Sequence, residues 1–109
     1  MTTGRRSPAL AWLAVLPMAI ALSATGRAGD LALGEYLSAE CVTCHQISGR
    51  QVAGIPAIIG LPEEAFVAMM DSYRRREREN QVMQAMAVRL SSEEVAALAA
   101  YFGSLKPSQ

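Results

Sequence analysis

The sequence predicts a small all-α domain, and three observations predict it. Apolar residues recur at three- and four-residue spacings in several stretches that open on helix-start residues. No stretch alternates apolar and polar residues in the manner of a half-buried strand. The only two cysteines and the only histidine stand together, as Cys41-Val42-Thr43-Cys44-His45, where the first of those stretches ends.

The elements follow in chain order. Arg5 and Arg6 precede an apolar run from Ala9 to Ala24, and Gly26-Arg27-Ala28 places small residues before Gly29. That layout reads as a secretory signal peptide over residues 1–28, which implies export to the periplasm. A retained membrane anchor is the competing reading; the run falls short of the roughly 20 residues a spanning helix needs. Removing 28 of the 109 residues leaves 81, one small domain at 29–109. Three of the ten basic residues leave with the signal, so seven face ten acidic ones, a formal charge near −3. Nucleic acid, which selects a basic face, is disfavoured, and docking to a basic patch on a redox partner is compatible.

Asp30 is the N-cap of the first predicted helix, which carries Leu33, Tyr36 and Leu37 on one face and runs into Cys41. Gly34, lacking a side chain, leaves room for another helix to cross. Residues Gln46 to Gly60 read as a loop punctuated by Gly49, Gly54, Pro56 and Gly60. Ile55, Ile58 and Ile59 inside it need an apolar surface to lie on. Pro62 at a first helical position, then Glu63 and Glu64, opens a second helix with Phe66, Met69, Met70 and Tyr73 on one side. The charged run Arg74 to Asn80 reads as a solvated helix end and loop. Gln81 to Arg89 is a short helical segment. Ser91-Ser92-Glu93-Glu94 has the form of a capping box, and a last helix follows with Val95, Leu98, Ala99 and Phe102 on one face, ended by Gly103 and Pro107.

The pentapeptide carries the chemistry. C-x-x-C-H is the attachment pattern of a c-type haem. Thiols two residues apart add to the two porphyrin vinyl groups, and the adjacent imidazole becomes the proximal iron ligand. A redox dithiol would need a βαβ setting, absent here. A structural zinc site needs four Cys/His ligands, and the chain has three. With 81 residues, side chains alone make a marginal core, which a buried porphyrin would complete.

An electron carrier commonly has a methionine sulfur as the second axial ligand. Met1 and Met18 lie in the signal segment, and Met69 and Met70 read as core of the second helix. Met83 and Met86 remain, and spacing alone leaves both open.

Cys41 to His45, Ile55-Pro56-Ala57-Ile58-Ile59-Gly60, Gln81-Val82-Met83, and Leu90 through Glu94 to Phe102 occur in that order. This order resembles the class I bacterial cytochromes c. Among these it is most similar to the cytochrome subunit of flavocytochrome c sulfide dehydrogenase and to single domains of periplasmic di-haem cytochromes c. The resemblance covers nearly all of residues 29–106. It implies three main helices plus short helices wrapped around one haem, with His45 and Met83 on the iron, Met83 lying eight residues before Ser91. It further implies that the Pro56 carbonyl accepts a hydrogen bond from His45, that Ile58 packs on the haem, and that Tyr36 meets Tyr101 or Phe102 where the first and last helices cross. Gln46 departs from the glycine that often follows the motif, and one motif implies one haem. The implied function is periplasmic electron transfer, not catalysis. Redox proteins are the implied partners, a flavoprotein dehydrogenase subunit among them, and no membrane anchor remains once the signal is cleaved. The alternative is a five-coordinate or labile-ligand haem domain that senses or binds a small molecule.

Overall fold

Asp30 starts the first helix by accepting a hydrogen bond from the Leu33 amide at 3.1 Å, which satisfies one orphan donor of the first turn. The computed structural model describes residues 2–4 and 29–108. The expected signal segment, beyond residues 2–4, lies outside the described residues.

Helix α1 spans Leu31–Cys41. Its buried residues are Gly34 and Ser38, with Leu37 and Cys41 packed against the core. The expected face of Leu33, Tyr36 and Leu37 is therefore rotated, and Tyr36 is 79% exposed. The reason is steric. A Cβ built on Gly34 would overlap the Ala97 carbonyl oxygen, so the crossing helix comes too near for a large side chain, and the largest one turns outward.

Helix α2 spans Glu63–Arg74. Pro62 is its N-cap and not its first helical residue; the Pro62 carbonyl accepts from the Ala65 and Phe66 amides at 3.0 and 3.1 Å. Glu63 and Glu64 oppose the positive end of the helix dipole, and Phe66 and Met70 are buried. Helix α3, Gln81–Arg89, starts where the Asn80 side chain accepts from the Met83 amide at 3.0 Å. Helix α4, Ser92–Ser104, opens on a complete capping box: Ser91 Oγ accepts from the Glu94 amide and Glu94 accepts from the Ser91 amide. It ends at Ser104 with Leu105 as its C-cap, between the Gly103 and Pro107 stop signals.

Three helix pairs pack, α1 on α4, α2 on α4 and α2 on α3. Among the described residues, three longer helices and one short one match the expected all-α architecture. Among the described residues the only β pairing is an isolated bridge between Val52 and Ile55. The aromatic contact lies elsewhere than expected. Phe66 of α2 stacks on Phe102 of α4 at 5.9 Å, and Tyr101 meets Phe102 edge-on at 5.5 Å; Tyr36 joins neither. The loop after α1 is pinned to α4 by the Gly60 amide, which donates to the Phe102 carbonyl at 2.8 Å, and by Ile59, which is buried. Among the described residues, four of the ten buried apolar ones are alanines, Ala87, Ala97, Ala99 and Ala100. A core that poor in large side chains has little apolar surface to offset chain entropy.

Gly34→Ala tests the crossing. In an open helix this change is worth about 1 kcal/mol in favour of alanine. Here it is expected to destabilise by about 1–3 kcal/mol, because the new Cβ overlaps backbone. Denaturant unfolding measures it, and a stabilised variant would show that α1 and α4 are farther apart.

Candidate haem-binding site

Cys41 is the last residue of α1, and the chain keeps winding after it. Val42 is near-helical at φ −71° and ψ −7°. The Cys44 and His45 amides both donate to the Cys41 carbonyl, at 3.2 and 2.9 Å. One irregular turn thus carries both sulfurs and the imidazole. Thr43 Oγ1 donates to the Glu40 carbonyl at 2.8 Å and holds the turn onto the helix end. Both cysteines are free thiols, Cys41 half-buried and Cys44 exposed. Burial, and then the adjacent Glu40 carboxylate, push the Cys41 thiol up, so it stays protonated at neutral pH.

His45 Nδ1 lies 2.7 Å from the Pro56 carbonyl oxygen. A carbonyl only accepts, so Nδ1 carries the proton and the lone pair is left on Nε2. The loop reaches back to His45 through two tight features. Gly49, at φ 76°, closes a turn in which its amide donates to the Gln46 carbonyl at 3.0 Å. Ala53 and Gly54, both at positive φ, form the bend between Val52 and Ile55. Gln46, the departure from the usual glycine, accepts from Ser48 Oγ at 3.2 Å and braces the first turn. Ile58 is half-buried against the core.

Met83 sits in the first turn of α3, half-buried and packed against the core. Met86 is half-buried one turn later, with its sulfur 3.9 Å from the Arg89 guanidinium. A groove of about 340 Å³ is lined by residues of α1, α3 and α4. Cys41, Met86, Leu90 and Leu98 line it, while His45 and Met83 do not. The Arg89–Glu40 ion pair links α3 to α1 at 3.6 Å.

Arg74 departs from the solvated role expected of its charged run. Within the charged run, Arg75 pairs with Glu77 at 2.9 Å and Arg78 lies over the Tyr73 ring at 5.2 Å. Arg74 instead turns inward. Its Nη2 donates to the Leu90 carbonyl at 2.8 Å, its Nε to the Ala87 carbonyl at 3.4 Å, and its Nη1 to Asp71 at 3.1 Å. The available sequence hint was indirect: α3 ends at Leu90 without the glycine or asparagine that usually closes a helix.

The donor set fits a c-type haem. Two thiols and an imidazole with a free Nε2 share one turn, and thioether side chains lie on a separate helix. Among the described residues no cluster of three or more His, Cys, Asp or Glu side chains could hold a bare metal ion, and no helix is long and apolar enough to cross a membrane.

The family model for cytochrome c matches residues 31–106. A thiosulfate dehydrogenase electron acceptor of Thiomonas intermedia is 40% identical over 73 residues, 65% of this chain and 34% of that protein. The cytochrome subunit of sulfide dehydrogenase of Chlorobaculum tepidum is 33% identical over 72 residues, 66% of each chain. Cytochrome c-554(548) of Halomonas halodenitrificans is 36% identical over 81 residues, 71% of this chain and 98% of that one. The chain thus spans about a third of the first relative's length, just under two thirds of the second's and nearly all of the third's.

The His45–Pro56 bond makes its own prediction. Pro56→Gly keeps the accepting carbonyl but adds about 1 kcal/mol of backbone freedom to the unfolded or opened loop. Exchange of the His45 Nδ1 proton with solvent, followed by NMR, is expected to speed up about fivefold. An unchanged rate would mean that the loop does not hold the ring.

Proposed function

The chain belongs to the cytochrome c family, and we propose that it is a periplasmic electron carrier with one haem c, bonded through Cys41 and Cys44 and ligated by His45 and Met83. The observation that carries this reading is the 2.7 Å contact of His45 Nδ1 with the Pro56 carbonyl at the end of the cysteine turn. It selects the tautomer that offers Nε2 to a metal and fixes the plane of the ring. The haem, when bound, supplies a one-electron iron couple. The chain holds that group in place: the two thiols through covalent bonds, His45 and Met83 through the axial positions, and Ile58 and the neighbouring isoleucines through apolar cover. Domain 29–109 carries all of these residues, and residues 1–28 direct export.

Met83 is preferred to Met86 as the sixth ligand because the Met86 sulfur already contacts Arg89, and because the resemblance to class I cytochromes places the ligand eight residues before Ser91. Redox proteins are the partners. Exposed apolar side chains stand next to the site in sequence, Ile47 and Val52 after His45 and Val82 beside Met83, and such side chains suit brief docking of another protein. Two relatives are named for thiosulfate dehydrogenase and sulfide dehydrogenase, so a dehydrogenase of reduced sulfur compounds, a flavoprotein among them, is the proposed donor.

Three measurements test this reading. Oxidised Met83→Ala is expected to lose the weak far-red absorption band of methionine on ferric haem, and Met86→Ala to keep it; the reverse pattern would reassign the ligand. Cys41→Ala with Cys44→Ala, made beside haem-attachment machinery, is expected to be unfolded or degraded, given the small side-chain core. A cooperative thermal transition in the haem-free variant would contradict that. Finally, mixing the oxidised protein with a sulfide-oxidising flavoprotein and sulfide, or with thiosulfate dehydrogenase and thiosulfate, should reduce it. Failure with both would remove the proposed donor class.

A further inference from the structure

Helix α3 carries the candidate sixth ligand, yet it takes part in only one of the three helix pairs, that with α2. It is nine residues long, too short to be stable by itself. Its N-terminus is capped from within by Asn80. Its C-terminus ends at Leu90 in extended backbone, φ −96° and ψ 136°, and so lacks the left-handed closing residue that would satisfy its last carbonyls. Ala87, in that last turn, is fully buried, so its carbonyl depends on a protein donor.

Arg74 is that donor. The side chain leaves the last turn of α2, bonds the Ala87 and Leu90 carbonyls, and is itself steered by Asp71. All three guanidinium nitrogens, Nε, Nη1 and Nη2, serve this one arrangement, and the side chain is only 30% exposed. Its positive charge also lies at the negative end of both helix dipoles, that of α2 and that of α3. The side chain of the neighbouring Arg75 bonds Glu77 at the surface.

We propose that Arg74 is a positioning residue: by capping α3 from α2 it holds the segment that carries Met83 and so keeps the methionine on the haem iron. This rests on the assignment of Met83 as the sixth ligand. A thioether is a weak axial ligand that an outside base can replace when its segment opens. The apparent affinity of such a base scales with the population of the open state. Arg74 therefore sets how readily the haem accepts external ligands. Lysine cannot replace it fully, because a single ammonium lacks the planar fork that reaches two carbonyls and a carboxylate together.

The test titrates imidazole into the oxidised holoprotein, well below its unfolding temperature, and follows the far-red methionine band. Arg74→Met is expected to bind imidazole about tenfold more tightly than the parent, Arg74→Lys to fall between, and Arg75→Gln to match the parent. Parent-like affinity in Arg74→Met, even with a lowered unfolding temperature, would reduce Arg74 to a structural role and overturn the proposal. An equal gain in Arg75→Gln would overturn it too, by pointing to charge alone. Should Arg74→Met not accumulate, Arg74→Lys decides on the same scale, with parent-like affinity overturning the proposal. The band in Met83→Ala separates the two levels: if it persists there, the ligand assignment fails first; if it is lost there while Arg74 variants titrate like the parent, only the positioning role fails.

Discussion

Helices α1 and α4 meet backbone to backbone where Gly34 faces the Ala97 carbonyl, and the rest of the domain is arranged around that contact. Because α1 ends at Cys41, the crossing sets where the cysteine turn begins. Because Phe102 lies further along α4, the same helix fixes Phe66 of α2 by stacking and the loop after the motif through the Gly60 amide. Closely approaching backbones need small residues, which is why the contact face of α1 is Gly34 and Ser38 and why three of the six buried residues of α4 are alanines. Small residues bring the helices close but bury little apolar area each. The domain therefore gains precise placement of a site at the expense of a large side-chain core, an arrangement that suits a chain expected to fold around a porphyrin.

Two short links then aim the groups that matter. The His45–Pro56 bond decides which imidazole nitrogen is available. The Arg74 clasp ties the helix of Met83 and Met86 to α2. Neither link is part of the haem chemistry itself. On the proposed ligand set, each would limit the freedom of a group that otherwise swings with its loop or its short helix, and such limits keep a metal ligand in one place.

The residues differ in how far the sequence exposed them. The cysteine turn, the capping box at Ser91, the short helix from Gln81 to Arg89 and the buried face of α4 were legible, because each rests on local spacing or on a local hydrogen bond. Tyr36 was not. Helical periodicity grouped it with Leu33 and Leu37, but which face a helix buries depends on its partner, and here the partner demanded the glycine face. Pro62 is displaced by one step, from first helical residue to N-cap, because helix-end signals are broad. Arg74 was illegible because its partners are thirteen and sixteen residues away; within its run nothing distinguishes it from three other arginines that face solvent.

The central claim is that this chain is completed by one haem joined covalently at the turn from Cys41 to His45. The most direct measurement is the intact mass of the protein, produced with haem-attachment machinery and then extracted with acidic acetone, together with its visible spectrum. One haem is expected to remain on the polypeptide after extraction, and the reduced spectrum to be that of a c-type haem. A folded protein of bare polypeptide mass, or one whose haem washes out, would contradict it.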